Sequence, residues 1–189
     1  PLARWCAAAA QRRSGLELRA AFVARTSEEM IERLRAFAAG TAPATAEGRA
    51  YGATSPGIVF VVPGQGAQWA GMARELMHRS VTFRESVVAC ELAMRPWVDW
   101  SLVEMLEAGV AFERIDHVQP ALVALAIAYA HWLGEHGVLP SAVIGHSMGE
   151  VAAAYVAGAL TLEQAMRIVC RRSRLMRRAR GRGARAMVD

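Results

Sequence analysis

Apolar and polar positions fall into two regimes along this chain. From Leu16 to Ala24, large or apolar residues (Leu16, Leu18, Phe22) alternate with polar or small ones, which is the period of a half-buried strand. Ser27 then serves as a helix cap, with Glu28 and Glu29 in the first turn and Ile31, Leu34 and Phe37 along one face, until Gly40 stops it. Residues 40–57 are mostly Gly, Ala, Thr, Ser and Pro without periodicity and read as a loop. The pattern then changes. Ile58 to Val62 is an unbroken apolar run rich in β-branched residues, as in a strand buried on both faces. Helical spacing follows over 72–79, 83–94 and 102–107, and a long helix is predicted from near Pro120 to His136, closed by Gly137. Ala142 to Ile144 is a second short buried strand, running into Gly145-His146-Ser147-Met148-Gly149 and an alanine-rich helix. Buried strands separated by helices predict an α/β layer structure with parallel strands.

Composition narrows the class without choosing a function. Of 189 residues 54% are hydrophobic and 21% charged, enough for a packed core and unlike a disordered or collagenous chain. The longest apolar run, Ala121 to Ala130, is about half of the ~20 residues that a membrane span needs. No basic-then-apolar leader opens the sequence, so the cytoplasm is the default compartment, and a first residue Pro1 in place of methionine points to a piece of a longer polypeptide. Cys6, Cys90 and Cys170 are odd in number and far apart, which fits buried small residues better than disulfides or a zinc site. The net charge of +5 raises the question of nucleic acid. Through residue 164 there are thirteen Arg against sixteen acidic residues, and after it nine against one, with no Lys or Asn anywhere. That is a solvated arginine-rich helix face and not a phosphate-binding surface.

The candidate chemistry begins at Ser147. A GxSxG between a strand and a helix puts the serine on a sharp turn, where side chains at the glycine positions would collide with neighbouring backbone. Backbone N–H groups there, that of Met148 included, can stabilise an oxyanion. A tight turn that happens to contain serine is the competing reading. Pro63-Gly64-Gln65-Gly66-Ala67-Gln68-Trp69 also follows a strand, but Trp69 occupies the third glycine position of a dinucleotide fingerprint, and no ribose-binding acid stands at the proper distance.

Further on, Thr161 and Gln164 form a capping box, and Leu162, Met166, Val169, Ser173 and Met176 recur as a buried stripe. At about 100° per residue, Arg167, Arg171, Arg174 and Arg178 point away from that stripe while Arg172 lies on its flank. A half-buried arginine needs an anionic partner, either a protein carboxylate or a substrate. A base for Ser147 is not apparent. The histidines are His78, His117, His131, His136 and His146, none after the serine, and the base is expected outside this chain.

Taken together these segments resemble the acyltransferase domain of modular polyketide synthases, within the malonyl-CoA:acyl-carrier-protein transacylase superfamily. Val59 through Met72 is similar to that family's opening strand and loop, and Val118-Gln119-Pro120-Ala121-Leu122 to its middle motif. Gly145 through Glu150 with Ala157-Gly158-Ala159-Leu160 is similar to the nucleophile segment, and Arg171 through Met176 to the arginine helix. The resemblance implies a large α/β-hydrolase-like subdomain over 51–189, preceded by a small α+β module over 1–50 that links a ketosynthase to the acyltransferase. It implies that Ser147 attacks an acyl-CoA thioester and that the N–H groups of Gln65 and Met148 hold the oxyanion. Arg172 would then bind the free carboxylate of a malonyl-type unit, with Gln119 lining the pocket and His146 beside it. The acyl group would pass to the phosphopantetheine thiol of an acyl carrier protein, with no cofactor or metal bound by the domain itself.

The family's base is a histidine well beyond the serine, and its ferredoxin-like subdomain would begin around 184–188, so most of it lies outside this chain. Arg185 and Met148 depart from the family's habit. Arg114 through Gln119 and Arg172-Ser173-Arg174 are similar to methylmalonyl-selecting domains. The rival readings are a serine esterase of the α/β-hydrolase type, sharing the elbow but leaving Arg172 without a purpose, and a non-catalytic docking remnant.

Overall fold

The structure is a computed structural model describing residues 2–50, 57–66 and 68–179. The expectations placed on Ala67 and on 183–188 therefore lie outside the described residues. The chain divides into two compact units, Pro1–Pro56 and Gly57–Asp189.

The first unit opens with α1 (Leu2–Gln11), an alanine-rich helix that the apolar pattern does not foreshadow. β1 (Leu18–Ala21) follows, then α2 (Ser27–Ala38) and β2 (Ala46–Arg49), which pairs antiparallel with β1 in the register Leu18↔Arg49 to Ala21↔Ala46. Part of the expected loop is thus a strand; Ala-Glu-Gly-Arg carries no apolar alternation because neither of its faces is buried. β1 is likewise exposed along its length and not half-buried. The cap of α2 is Thr26, one residue earlier than expected: its backbone is extended and its hydroxyl accepts from the Glu29 N–H at 3.1 Å. Gly40 does end the helix, at φ +70°, while the Thr41 N–H returns to the Ala36 carbonyl.

In the second unit β3 (Val59–Val62) leads through α3 (Arg74–Arg79), α4 (Val81–Met94) and α5 (Leu102–Ala108) to the long α6 (Ile115–Glu135). β4 (Ala142–Gly145), α7 (Gly149–Val156) and α8 (Leu162–Ala179) complete it. β3 and β4 pair in parallel, from Val59↔Ala142 to Val62↔Gly145, as the strand–helix alternation requires. The core lies among α4, α6, α7 and α8, where Phe83, Val87, Met94, Val123, Ile127 and Val169 have no exposed surface.

Two expectations fail here for physical reasons. The strands are covered on one face only: Phe60, Val62 and Val143 are half-buried, whereas Val61 and Ile144, on the other face, are 68% and 57% exposed. An apolar run therefore overstated the burial. Pro120 does not open the long helix but sits in its second turn. Having no N–H, it cannot bond back to Asp116, and the helix starts earlier because Arg114 and Asp116 organise its first turn. The cysteines also divide, with Cys90 and Cys170 buried as expected and Cys6 exposed.

Candidate active site

β4 ends at Gly145 and α7 begins at Gly149, leaving His146, Ser147 and Met148 to make the turn. Ser147 has φ +56°, in the left-handed region that a side chain occupies at a cost of order 1–3 kcal/mol. The flanking glycines are what permit it. A Cβ on Gly145 would strike the backbone of Glu150, and one on Gly149 would strike the carbonyls of Val62 and Pro63. The turn is pinned to the neighbouring strand by the His146 N–H, which donates to the Val62 carbonyl at 3.0 Å. Ser147 itself is exposed, above the N-terminal end of α7.

Two more elements bring side chains to this serine. Arg172 on α8 is half-buried and donates from one terminal nitrogen to Ser147 Oγ at 3.3 Å and from the other to Gln119 Oε1 at 2.6 Å. Gln119, on α6, is only 2% exposed. Its Nε2 donates to Gln65 Oε1 at 3.0 Å and lies 3.6 Å from Met176 Sδ. Gln65 belongs to the loop after β3, next to Gly66, whose N–H at φ +133° donates to Gln68 Oε1 at 2.8 Å. Two loops and two helices distant in sequence thus meet in one chain of bonds, Ser147–Arg172–Gln119–Gln65. Among the described residues, neither the backbone N–H of Gln65 nor that of Met148 donates to another protein group.

The capping box that starts α8 is formed as expected: the Thr161 N–H donates to Gln164 Oε1 at 2.9 Å and the Gln164 N–H to Thr161 Oγ1 at 3.3 Å. It helps fix the rotation of α8, so Arg167, Arg171, Arg174 and Arg178 are exposed while Arg172 turns inward. Among the described residues Arg172 has no carboxylate within ion-pair distance. Arg177, five residues on, differs: it meets Asp116 Oδ2 at 2.8 Å, and Arg114 reaches the same oxygen at 2.8 Å. Partial burial alone would raise the Asp116 carboxyl, but the bonds from Arg114 and Arg177 outweigh it and hold it well below the usual carboxylate range.

The remaining candidates are placed as follows. The Met148 side chain is buried beneath the turn, leaving only its backbone to the site. His146 is exposed, and its ring lies against Gly64 so closely that a Cβ there would stand 3.0 Å from Nδ1. Among the described residues no imidazole or carboxylate hydrogen-bonds Ser147. His131 bridges Ser86 Oγ at 2.8 Å and the Tyr155 hydroxyl at 3.1 Å, joining α4, α6 and α7, and His136 bonds the Trp132 carbonyl. The link between Gln119 and Gln65, 54 residues apart, is what the residue pattern missed, and a glutamine inside an apolar helix gives no signal of its own.

Comparison with known proteins identifies the family. The model of the acyl transferase domain family matches residues 59–189, and the chain belongs to that family. Over 179 residues it is 48% identical to erythronolide synthase EryA3 of Saccharopolyspora erythraea, covering 94% of this chain and 6% of the relative. A spectinabilin polyketide synthase protein, NorA' of Streptomyces orinoci, is 47% identical over 90% of this chain and 5% of its own. Among solved structures, the acyltransferase domain from module 8 of the salinomycin polyketide synthase superposes with a TM-score of 0.80 at 42% identity, over 93% of this chain and 42% of that one. The acyl transferase domain of SpnD, solved in complex with 2-(pent-4-yn-1-yl)malonyl, gives 0.75 at 31% identity, over 92% and 41%. The chain therefore spans a few per cent of the curated synthases and about two fifths of a solved acyltransferase chain.

Proposed function

We propose that this chain carries the nucleophile and the carboxylate-binding arginine of an extender-unit acyltransferase. Ser147 Oγ attacks the carbonyl carbon of a malonyl-type acyl-CoA, the C–S bond breaks, and coenzyme A leaves as the thiol with the proton that the serine gives up. The acyl-serine ester is then attacked by the phosphopantetheine thiol of an acyl carrier protein, and Oγ recovers a proton. The backbone N–H groups of Gln65 and Met148 hold the oxyanion in both halves. Arg172 binds the free carboxylate, and His146 stands at the rim. The observation that carries the reading is a half-buried guanidinium, 3.3 Å from the serine oxygen and, among the described residues, without a carboxylate partner. The malonyl derivative bound to the SpnD domain supports the same substrate class.

Finer parts of the proposal rest on sequence similarity. Methylmalonyl is favoured over malonyl because of 114–119 and 172–174, although Asp116 is spoken for by Arg114 and Arg177. Residues 51–189 are read as an α/β-hydrolase-like subdomain, and 1–50 as a linker to a ketosynthase of the same polypeptide. The curated relatives support the latter, since their match extends beyond the family model toward the N-terminus. A cytoplasmic synthase, with acyl-CoA and carrier protein as its partners and no nucleic acid, completes the reading; among the described residues no helix is long and apolar enough to cross a membrane.

The test is intact-mass detection of the acyl-serine after incubation with malonyl- or methylmalonyl-CoA. Since arginine only donates to Ser147, the hydroxyl keeps its proton and acylation by this chain is slow. The ester forms at Ser147 and is absent in Ser147→Ala. In Arg172→Ala the preference for malonyl- over acetyl-CoA falls about 10- to 100-fold, the worth of a charge-assisted pair. Modification elsewhere, or undiminished labelling of Ser147→Ala, refutes the proposal.

A further inference from the structure

The buried Gln119 touches the arginine and the loop that the proposed reaction uses, and its chemistry admits one orientation. A guanidinium has donors only, so the Gln119 atom facing Arg172 at 2.6 Å is the carbonyl oxygen. The amide nitrogen therefore faces Gln65 Oε1 at 3.0 Å, which fixes the Gln65 side chain by its own oxygen. Both ends of a buried amide are satisfied, so neither can turn without leaving a polar group unpaired. Gln119 is itself held by α6, whose neighbouring residues Val118, Pro120 and Ala121 are all buried.

What matters is that the group holding Arg172 is neutral. The same helix shows the other solution: Arg177 is held by Asp116, whose carboxylate also serves Arg114. A guanidinium held in that way has spent its charge on the protein. Arg172 is oriented as firmly, yet the two bonds described use only one N–H from each terminal nitrogen. The other three of its five N–H groups are not engaged by those bonds. A fork with its charge intact and its direction set suits an incoming carboxylate.

We propose that Gln119 is a positioning residue for carboxylate recognition, aiming the Arg172 guanidinium without neutralising it while steadying the Gln65 loop through its other end. The inference rests on the reading of Arg172 as the carboxylate-binding group and adds the device that keeps it available. Gln119→Glu is nearly isosteric and supplies the carboxylate that nature withheld here. It pairs with Arg172, repels a substrate carboxylate, and faces the Gln65 carbonyl oxygen with an oxygen of its own. Gln119→Met keeps the volume and adds no charge.

The experiment measures equilibrium binding of malonyl-CoA and of acetyl-CoA by calorimetry, on the chain carrying Ser147→Ala so that no chemistry intervenes, with Gln119, Gln119→Glu and Gln119→Met. The chain with Gln119 prefers malonyl-CoA. Gln119→Glu loses about tenfold or more of that preference. The loss falls on malonyl-CoA, with acetyl-CoA affinity within about twofold, since only the acyl group that carries a carboxylate is repelled by the new charge. Gln119→Met weakens malonyl-CoA binding but retains a preference, because Arg172 keeps its charge. A preference that survives Gln119→Glu, equal losses in both variants, or no preference in the chain with Gln119 overturns the proposal. Acyl-serine formation in the chain with native Ser147 and Gln119 separates this from the transfer reading. Binding that follows the expected order while Ser147 never becomes an ester sinks the transfer and leaves Gln119 in place; ester formation with an unchanged preference in Gln119→Glu does the reverse.

Discussion

The two units of this chain are stabilised by different means. Among residues 2–50 no side chain is buried, and order comes from local bonds: the Thr26 cap, the Gly40 stop and a four-residue antiparallel pairing. Among the same residues, Phe22 and Phe37 meet edge-on with ring centroids 5.2 Å apart. The second unit holds every buried apolar residue described, contributed chiefly by helices α3 through α8. Local bonds fix directions, but the removal of apolar surface from water supplies most of the folding free energy. A site that needs Ser147, Arg172, Gln119 and Gln65 held together across sequence belongs where that free energy is.

The largest expected effect breaks the second unit and spares the first. Phe83 is fully buried and lies edge-on to Tyr129 at 5.0 Å between ring centroids. Phe83→Ala removes that packing and costs about 3–5 kcal/mol. Ile31→Ala, on the exposed face of α2, costs under about 1 kcal/mol. Residue-resolved hydrogen exchange reads both, with protection lost through α4, α6 and α8 in the first case and little changed in the second. Comparable losses would mean that the first unit owes its order to burial after all.

A smaller effect concerns charge. Asp116 ties the start of α6 to α8 and has its carboxyl held below the ordinary range, so the folded state binds fewer protons than the unfolded chain. Its contribution is present above the ordinary aspartate value near 4 and is lost as pH falls through the depressed folded one. Both arginines are half-exposed, which discounts the stabilisation to about 1 kcal/mol. Melting temperature followed downward from pH 6 should fall less steeply in Asp116→Asn than in the parent chain. In the first unit Glu29 is lowered chiefly by the Arg25 backbone N–H and then by Arg33, but both partners lie within one helical turn of it and Arg33 is half-exposed, so its replacement should change that slope less.

How much of this was legible depended on whether the cause was local. The GxSxG turn and the inward rotation of Arg172 are short-range consequences of residue type, and both are visible in the sequence. So was the parallel pairing, because a strand–helix alternation admits little else. The strand at Ala46–Arg49 was not, since an exposed strand leaves no apolar period. Nor was the true start of α6, where Pro120 looked like a first-turn residue while Arg114 and Asp116, through their own ion pair, had already begun the helix. The exposed face of β3 and β4 misled because apolar runs report composition and not what covers them. The Gln119 contacts run across 53 and 54 residues, and no rule of spacing reaches that far.

The finest probe of the contrast is thiol chemistry, because the chain carries one exposed cysteine in the first unit and two buried ones in the second. Burial pushes the Cys90 thiol up to about 12, and Cys170 likewise to about 12 despite the opposing charge of Arg174. At pH 8 both are protonated as well as shielded, so each must wait for the second unit to open before it can react. Iodoacetamide should alkylate one site per chain promptly, at Cys6, with the other two following at the opening rate, as peptide mass mapping would record. Phe83→Ala raises the population of open second unit, so Cys90 and Cys170 should label faster in that variant while Cys6 keeps its rate. Prompt alkylation of Cys170 in the parent chain would mean that α8 is held more loosely than its capping box and buried stripe imply, and the fixed aim of Arg172 would fall with it.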